Sequence, residues 1–224
     1  MEGTISPQDL DLQVPYETTK VQNPSPSDCK FKQDIRYFGN RLGIRAGPIP
    51  TDTVKLGENA YGKYVSIPVS AWLRQQLTII ETFVLENLSL PPPLNGLWKA
   101  KFKGDSPYKK IWNGDRLVVS LSNWCSYFKQ ENDYLDEIEA DELGDGTLDI
   151  AISIDGIYFG QLKDGKLATL TLRVQSILYK AKPTKMDNIL NTILEVGGGK
   201  LKHANKRRIK AKVHESLSKT SLWK

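Results

Sequence analysis

From residue 61 to residue 182 the chain alternates apolar and polar positions in blocks, interrupted once by a helical period. Tyr61, Lys63, Val65, Ile67 and Val69 fall on one side of a first strand. Leu73, Leu77, Ile80 and Val84 then recur at steps of three and four, widened by Trp72, Ile79 and Phe83. That stripe predicts a helix from an N-cap at Ser70 to about residue 87, packed on a sheet and ended by Pro91-Pro92-Pro93. Strands return at residues 97–103, with Trp98, Ala100 and Phe102 set against Lys99, Lys101 and Lys103. Residues 117–128 set Leu117, Val119 and Leu121 against Val118, Ser120, Ser122 and Trp124. Leu148, Ile150, Ile152 and Ile154 face inward opposite Thr147, Asp149, Ala151 and Ser153. Ala168, Leu170, Leu172, Val174 and Leu178 do so opposite Thr169, Thr171, Arg173, Gln175 and Tyr179. Asp164-Gly165 marks the hairpin turn between these last two strands.

The flanks follow other rules. Residues 1–28 hold Pro7, Pro15, Pro24 and Pro26 among polar side chains with little to bury, the pattern of a disordered leader. Order is expected from Cys29, with Phe31, Ile35 and Tyr37 in an extended stretch toward Ile44 and a turn at Gly47-Pro48-Ile49-Pro50. After Pro183, Ile189, Leu190, Ile193 and Leu194 form a short amphipathic face, and Gly197-Gly198-Gly199 is a hinge into a Lys/Arg-rich end. The organisation expected is a leader (1–28), one folded domain (29–182) and an amphipathic, basic tail (183–224). The fold class is all-β or β-rich α+β: a barrel of about five strands with one main helix.

Charge gives the first functional clue. Twelve of the 31 Lys/Arg and only three of the 26 acids lie from Lys180 onward, so that segment carries +9 and the remainder −4 of a net +5. Such asymmetry points to a polyanion, nucleic acid before an anionic membrane surface. With no long apolar run and an N-terminus rich in acids and prolines, neither a membrane span nor a signal peptide is expected. The two cysteines are too few for a disulfide framework or a four-cysteine zinc site and fit an intracellular setting. Cytoplasm or nucleus both qualify, since Lys206-Arg207-Arg208-Ile209-Lys210 reads as an import signal.

Catalytic chemistry is scarce. His203 and His214, the only two histidines, both sit in the tail, which leaves Ser-His-Asp or Cys-His catalysis without its base. Gly197-Gly198-Gly199-Lys200 lacks the leading glycine and following Ser/Thr of a P-loop. Eight acids between residues 131 and 145 do not keep calcium-loop spacing; they suit a solvated face, a surface for replication partners, or a nucleic-acid mimic over a basic groove. No catalytic residue, metal or cofactor is expected.

Basic residues interleaved with aromatics are plentiful. Lys99, Lys101, Lys103, Tyr108, Lys109, Lys110, Trp112 and Arg116 fall within one short stretch, and Trp124 follows beside Ser120 and Ser122. Cations that track phosphates and exposed rings that stack bases hold single strands in this way, although Trp98, Trp112 and Trp124 suit a core equally well. Arg173 and Tyr179 on the last strand extend the polar face, and Lys206, Arg207 and Arg208 form an electrostatic handle of low specificity.

Residues 61–182, and Gly156-Ile157-Tyr158-Phe159-Gly160 through residues 170–178 above all, resemble the single-stranded DNA-binding replication proteins of bacteriophages and DNA viruses. The resemblance implies an oligonucleotide-binding (OB) barrel and a role in replication, recombination or repair with little sequence preference. Phage members typically end in an acidic tail that recruits replication partners, whereas this chain ends in bases and keeps its acids at 131–145. Two other readings stay open: a viral or mobile-element packaging protein with a β-sandwich and genome-binding tail, and a magnesium nuclease using the acidic segment.

Overall fold

A computed structural model describes residues 4–59, 62–101, 106–131 and 134–183. Its elements are strands β1 (Leu10–Leu12), β2 (Tyr16–Glu17), β3 (Phe31–Gln33), β4 (Ile35–Tyr37), β5 (Asn40–Pro50), β6 (Lys55–Asn59) and β7 (Gly62–Pro68), then helices α1 (Ala71–Asn87) and α2 (Pro92–Lys101). Strands β8 (Tyr108–Lys109), β9 (Trp112–Asn113), β10 (Arg116–Glu131), β11 (Tyr134–Ile138), β12 (Gly146–Phe159) and β13 (Ala168–Ala181) complete them. Pairing runs β1-β4-β5-β12-β13-β10-β7-β6, with β11 and β9 on β10, β8 on β13, β3 on the end of β12 and β2 on β3. β10 and β8 each lie parallel to β13; the other pairs are antiparallel. The domain is therefore β-rich α+β, and the sheet extends well beyond five strands.

The alternation predicted for the long strands is present. Leu117 and Val119 of β10 and Leu148, Ile150, Ile152 and Ile154 of β12 are buried, while Val118 and Ser120 face solvent. α1 begins as its N-cap predicts, with the Leu73 amide donating to Ser70 Oγ at 3.2 Å. Leu73, Leu77, Ile80 and Val84 join Val65, Ile67 and Leu117 in one core. None of the described helices is long and apolar enough to cross a membrane.

Four expectations need correction. Residues 97–101 of the expected strand are helical instead, because the proline run starts a helix: Pro92 opens α2, and the amides of Leu94 and Asn95 both donate to Pro91 O, at 3.0 and 2.9 Å. A proline in the first turn loses only an N–H that would lack a partner anyway. Leu94, Leu97 and Trp98 then fall at helical spacing, with Leu94 fully buried. The leader is not free either: Ile5 and Leu10 are buried, the Ile5 amide donates to Gln76 Oε1 at 2.8 Å, and β1 pairs β4. A few apolar anchors and one sheet edge suffice to tie it down. The 47–50 turn is a bulge within β5, which advances from Ala46 to Ile49 while β12 moves from Ile150 to Leu148.

The last correction concerns β13. Ser176 pairs Ala151 and Val174 pairs Ile152, so β13 carries one extra residue, Gln175. A one-residue bulge reverses every side chain beyond it. Ile177 and Tyr179 consequently enter the core, and Leu178 leaves it.

Candidate nucleic-acid interface

β10 bulges more strongly at the same level of the sheet. Leu121 pairs Val174 and Ser126 pairs Ser176, so β10 takes five steps where β13 takes two. Pairing with β7 ends at Ser120, leaving residues 122–125 outside both ladders. The excess chain carries Trp124 into solvent, 88% exposed, and its amide donates to Ser122 Oγ at 3.2 Å.

Clefts open on either side of Arg173. One of about 310 Å³ is lined by Lys32, Arg36, Arg41, Ser122, Trp124 and Gln175 together with Arg173. The other, about 580 Å³, is lined by Tyr64, Lys109, Lys110, Val118, Ser120, Thr169 and Thr171, again with Arg173. A third, about 490 Å³, continues past Asn123 to Lys63 and Tyr127. Shared lining by Arg173 and Asn123 makes these parts of one surface across β13, β10 and β7.

Arg173 is held in place from behind. Its Nε donates to Asp155 Oδ2 at 2.8 Å, Asp155 Oδ1 accepts from Ser153 Oγ at 2.8 Å, and Ser153 Oγ accepts from Gln175 Nε2 at 2.7 Å. A guanidinium gripped through Nε keeps its terminal fork for a planar or anionic partner. Lys109 Nζ meets Asp164 Oδ2 at 2.9 Å, and that hydrogen bond holds the Asp164 carboxyl below its ordinary range. Lys110 is exposed and lines the larger cleft.

Several expected contacts lie elsewhere. Tyr108 is buried, donating its hydroxyl to Glu81 Oε1 at 3.1 Å; burial, then Glu81, push that hydroxyl far above its ordinary pKa. Tyr179 is also a core ring, donating to Asp145 O at 3.0 Å. Trp112 is half-buried, with Nε1 donating to Glu81 Oε2 at 3.1 Å and the Arg74 guanidinium 4.8 Å from its ring centre. None of these three rings is free to stack a base. Arg116 ties β10 to β7, donating to Ser66 Oγ (2.9 Å), Ser66 O (2.7 Å) and Thr53 O (2.8 Å), so its hydrogen bonds serve the scaffold. Lys99 is exposed on α2 and lines none of the three clefts, and Lys101 ends that helix. Lys103, Lys206, Arg207 and Arg208 lie outside the described residues. Of the expected set, Trp124, Arg173, Lys109 and Lys110 come together, joined by Lys32, Arg36, Arg41 and Lys63, which the sequence pattern did not single out. Lys32 and Arg36 lie on strands of three residues, too short for alternation to register, and Arg41 and Lys63 lie near the starts of β5 and β7, outside the basic-aromatic stretch that the sequence marks.

Cys125, on the bulge beside Trp124, borders the third cleft, and burial pushes its thiol up to about 11. Only the thiolate reacts, so alkylation of Cys125 at pH 8 should run about a hundredfold slower in the folded protein than in denaturant. Mass spectrometry of timed iodoacetamide reactions checks this, and equal rates would refute it.

Among the described residues no three His, Cys, Asp or Glu side chains gather as a metal site. Searches against protein-family models, curated proteins and solved structures find no match to this chain.

Proposed function

We propose that the protein binds single-stranded nucleic acid, DNA first, without strong sequence preference and without catalysis, in replication, recombination or repair. The observation that carries this is an indole 88% exposed on a bulged strand, at the mouth of a cleft lined by Lys32, Arg36, Arg41 and Arg173. An exposed ring flanked by cations is the pairing that holds single strands, the ring stacking a base while the cations track the phosphates. An unpaired base offers a free face to such a ring, whereas duplex bases are already stacked, which favours a single strand. Choosing DNA rests on the resemblance of residues 61–182.

An OB-like barrel fits the same observations. The five long strands pair as β5-β12-β13-β10-β7, with one parallel pair and α1 between β7 and β10, an order suited to a partly open Greek-key barrel. The clefts then lie on its outer face, where oligonucleotide-binding barrels take up ligand.

Titration of labelled single- and double-stranded oligonucleotides at two salt concentrations tests the proposal. Single strands should bind more tightly and lose affinity with salt, and Arg173→Gln should lower the log-log salt slope by about 0.7. Equal affinity for duplex, or an unchanged slope in Arg173→Gln, would count against it.

A further inference from the structure

The hairpin joining β4 to β5 keeps two features that work against its own stability. Its turn residues are Phe38, at φ +48°, and Gly39, at φ +73°. Both central residues of this two-residue turn are left-handed, a geometry in which Asn, Asp or Gly is favoured first and a bulky ring is an outlier. The strain is pinned, since the Phe38 amide donates to Asp9 O and the Phe38 carbonyl accepts from Asn40 Nδ2, both at 3.1 Å. The ring gains little burial in return. It is 67% exposed and meets the Tyr37 ring edge-on, with centroids 4.7 Å apart.

The second feature is charge. Arg36 and Arg41 are direct cross-strand partners, an arrangement in which like charges repel. Asp34 is shared between Lys32 (3.2 Å) and Arg36 (3.3 Å), and Arg41 has no ion-pair partner among the described residues. Lys32, Arg36, Arg41 and Arg173 are four cations against two carboxylates, Asp34 and Asp155, around the cleft that Trp124 also lines. Backbone strain of this kind clusters at ligand clamps and other functional sites, and an anion between Arg36 and Arg41 would offset their repulsion.

We propose that this hairpin is a second station on the path of the single strand: Arg36 and Arg41 clasp a phosphate and Phe38 stacks the base beside it. The inference rests on the function proposed above and extends the strand's path from the bulge on β10 to the β4–β5 tip.

The experiment uses the full chain and a labelled oligothymidylate of about 16 nucleotides, long enough to span one such domain. Phe38→Asn should raise Tm by about 2 to 4 °C, because Asn tolerates the turn geometry, and should still weaken binding at least about fivefold. Arg41→Gln should lower the log-log salt slope by about 0.7. Greater stability together with weaker binding is a combination that a scaffold residue does not produce. Unchanged affinity in Phe38→Asn and Arg41→Gln, while Trp124→Ala binds weakly, overturns the second station and leaves the function standing. Failure of the unmodified chain to bind overturns both.

Discussion

Leucine in place of Glu81 will destabilise the domain by about 3 to 5 kcal/mol, because it strips the acceptor from three neutral donors at a largely buried site. Glu81 is only 5% exposed, on the sheet-facing stripe of α1, and its carboxylate takes three donors: Tyr108 hydroxyl and Ile111 amide at Oε1, Trp112 indole N–H at Oε2. Leucine matches the volume but leaves all three donors unpaired, each at about 1 to 3 kcal/mol. Glu81→Gln keeps one acceptor oxygen and sets an amide N–H against a donor, so about half the loss is expected. Thermal melts should fall by about 10 °C for leucine, given 2 to 4 °C per kcal/mol in a domain of this size. Trp112 emission should also shift red as its indole is released. A melt within about 2 °C of wild type would show that the three hydrogen bonds contribute little. A pH effect accompanies them. Burial and Glu81 raise the Tyr108 pKa in the folded state, so the hydroxyl contributes its full stability below the unfolded value, about 10, and loses it as pH rises beyond.

Trp124→Ala should weaken single-strand binding by about 1 to 3 kcal/mol, roughly five- to 150-fold, with Tm unchanged within about 2 °C. The two effects separate because the side chain is 88% exposed, whereas truncating a core tryptophan would cost about 3 to 5 kcal/mol of stability. Five tryptophans share the emission, so the contribution of Trp124 is the quenching on ligand addition that the alanine variant lacks. Lowered stability with wild-type affinity would remove the indole from the binding account and leave only the cations. Retained affinity and stability together would reduce Trp124 to an incidental surface ring.

Trp124 also shows how far local pattern reaches. Its exposed side follows from alternation with Leu117, Val119 and Leu121, but alternation alone predicts a ring lying on a sheet face. The degree of exposure comes from excess chain in β10, visible only against the register of β13. Tyr179 illustrates the opposite case, since its alternation points outward and a single bulged residue, Gln175, turns it into the core. Arg116 and Trp112 carry the right chemistry for a ligand, yet Ser66 and Glu81, distant in sequence, engage their hydrogen-bonding groups first.

What the sequence determined by itself is the β-rich character, the long strands β10, β12 and β13, and α1 with its Ser70 cap. Each of these depends on side-chain periodicity and capping within a few residues, which act before any distant partner is met. Tertiary structure decided the rest. Helix or strand at residues 92–101 turned on whether Leu94 had a core to enter, and the leader's order turned on a sheet edge and on Gln76 of α1. The cation cluster exists only because β3, β4 and β5 reach the same cleft as β10 and β13, an encounter between segments some eighty or more residues apart. Long-range register and burial govern such encounters, and neither is encoded in the period of any one segment.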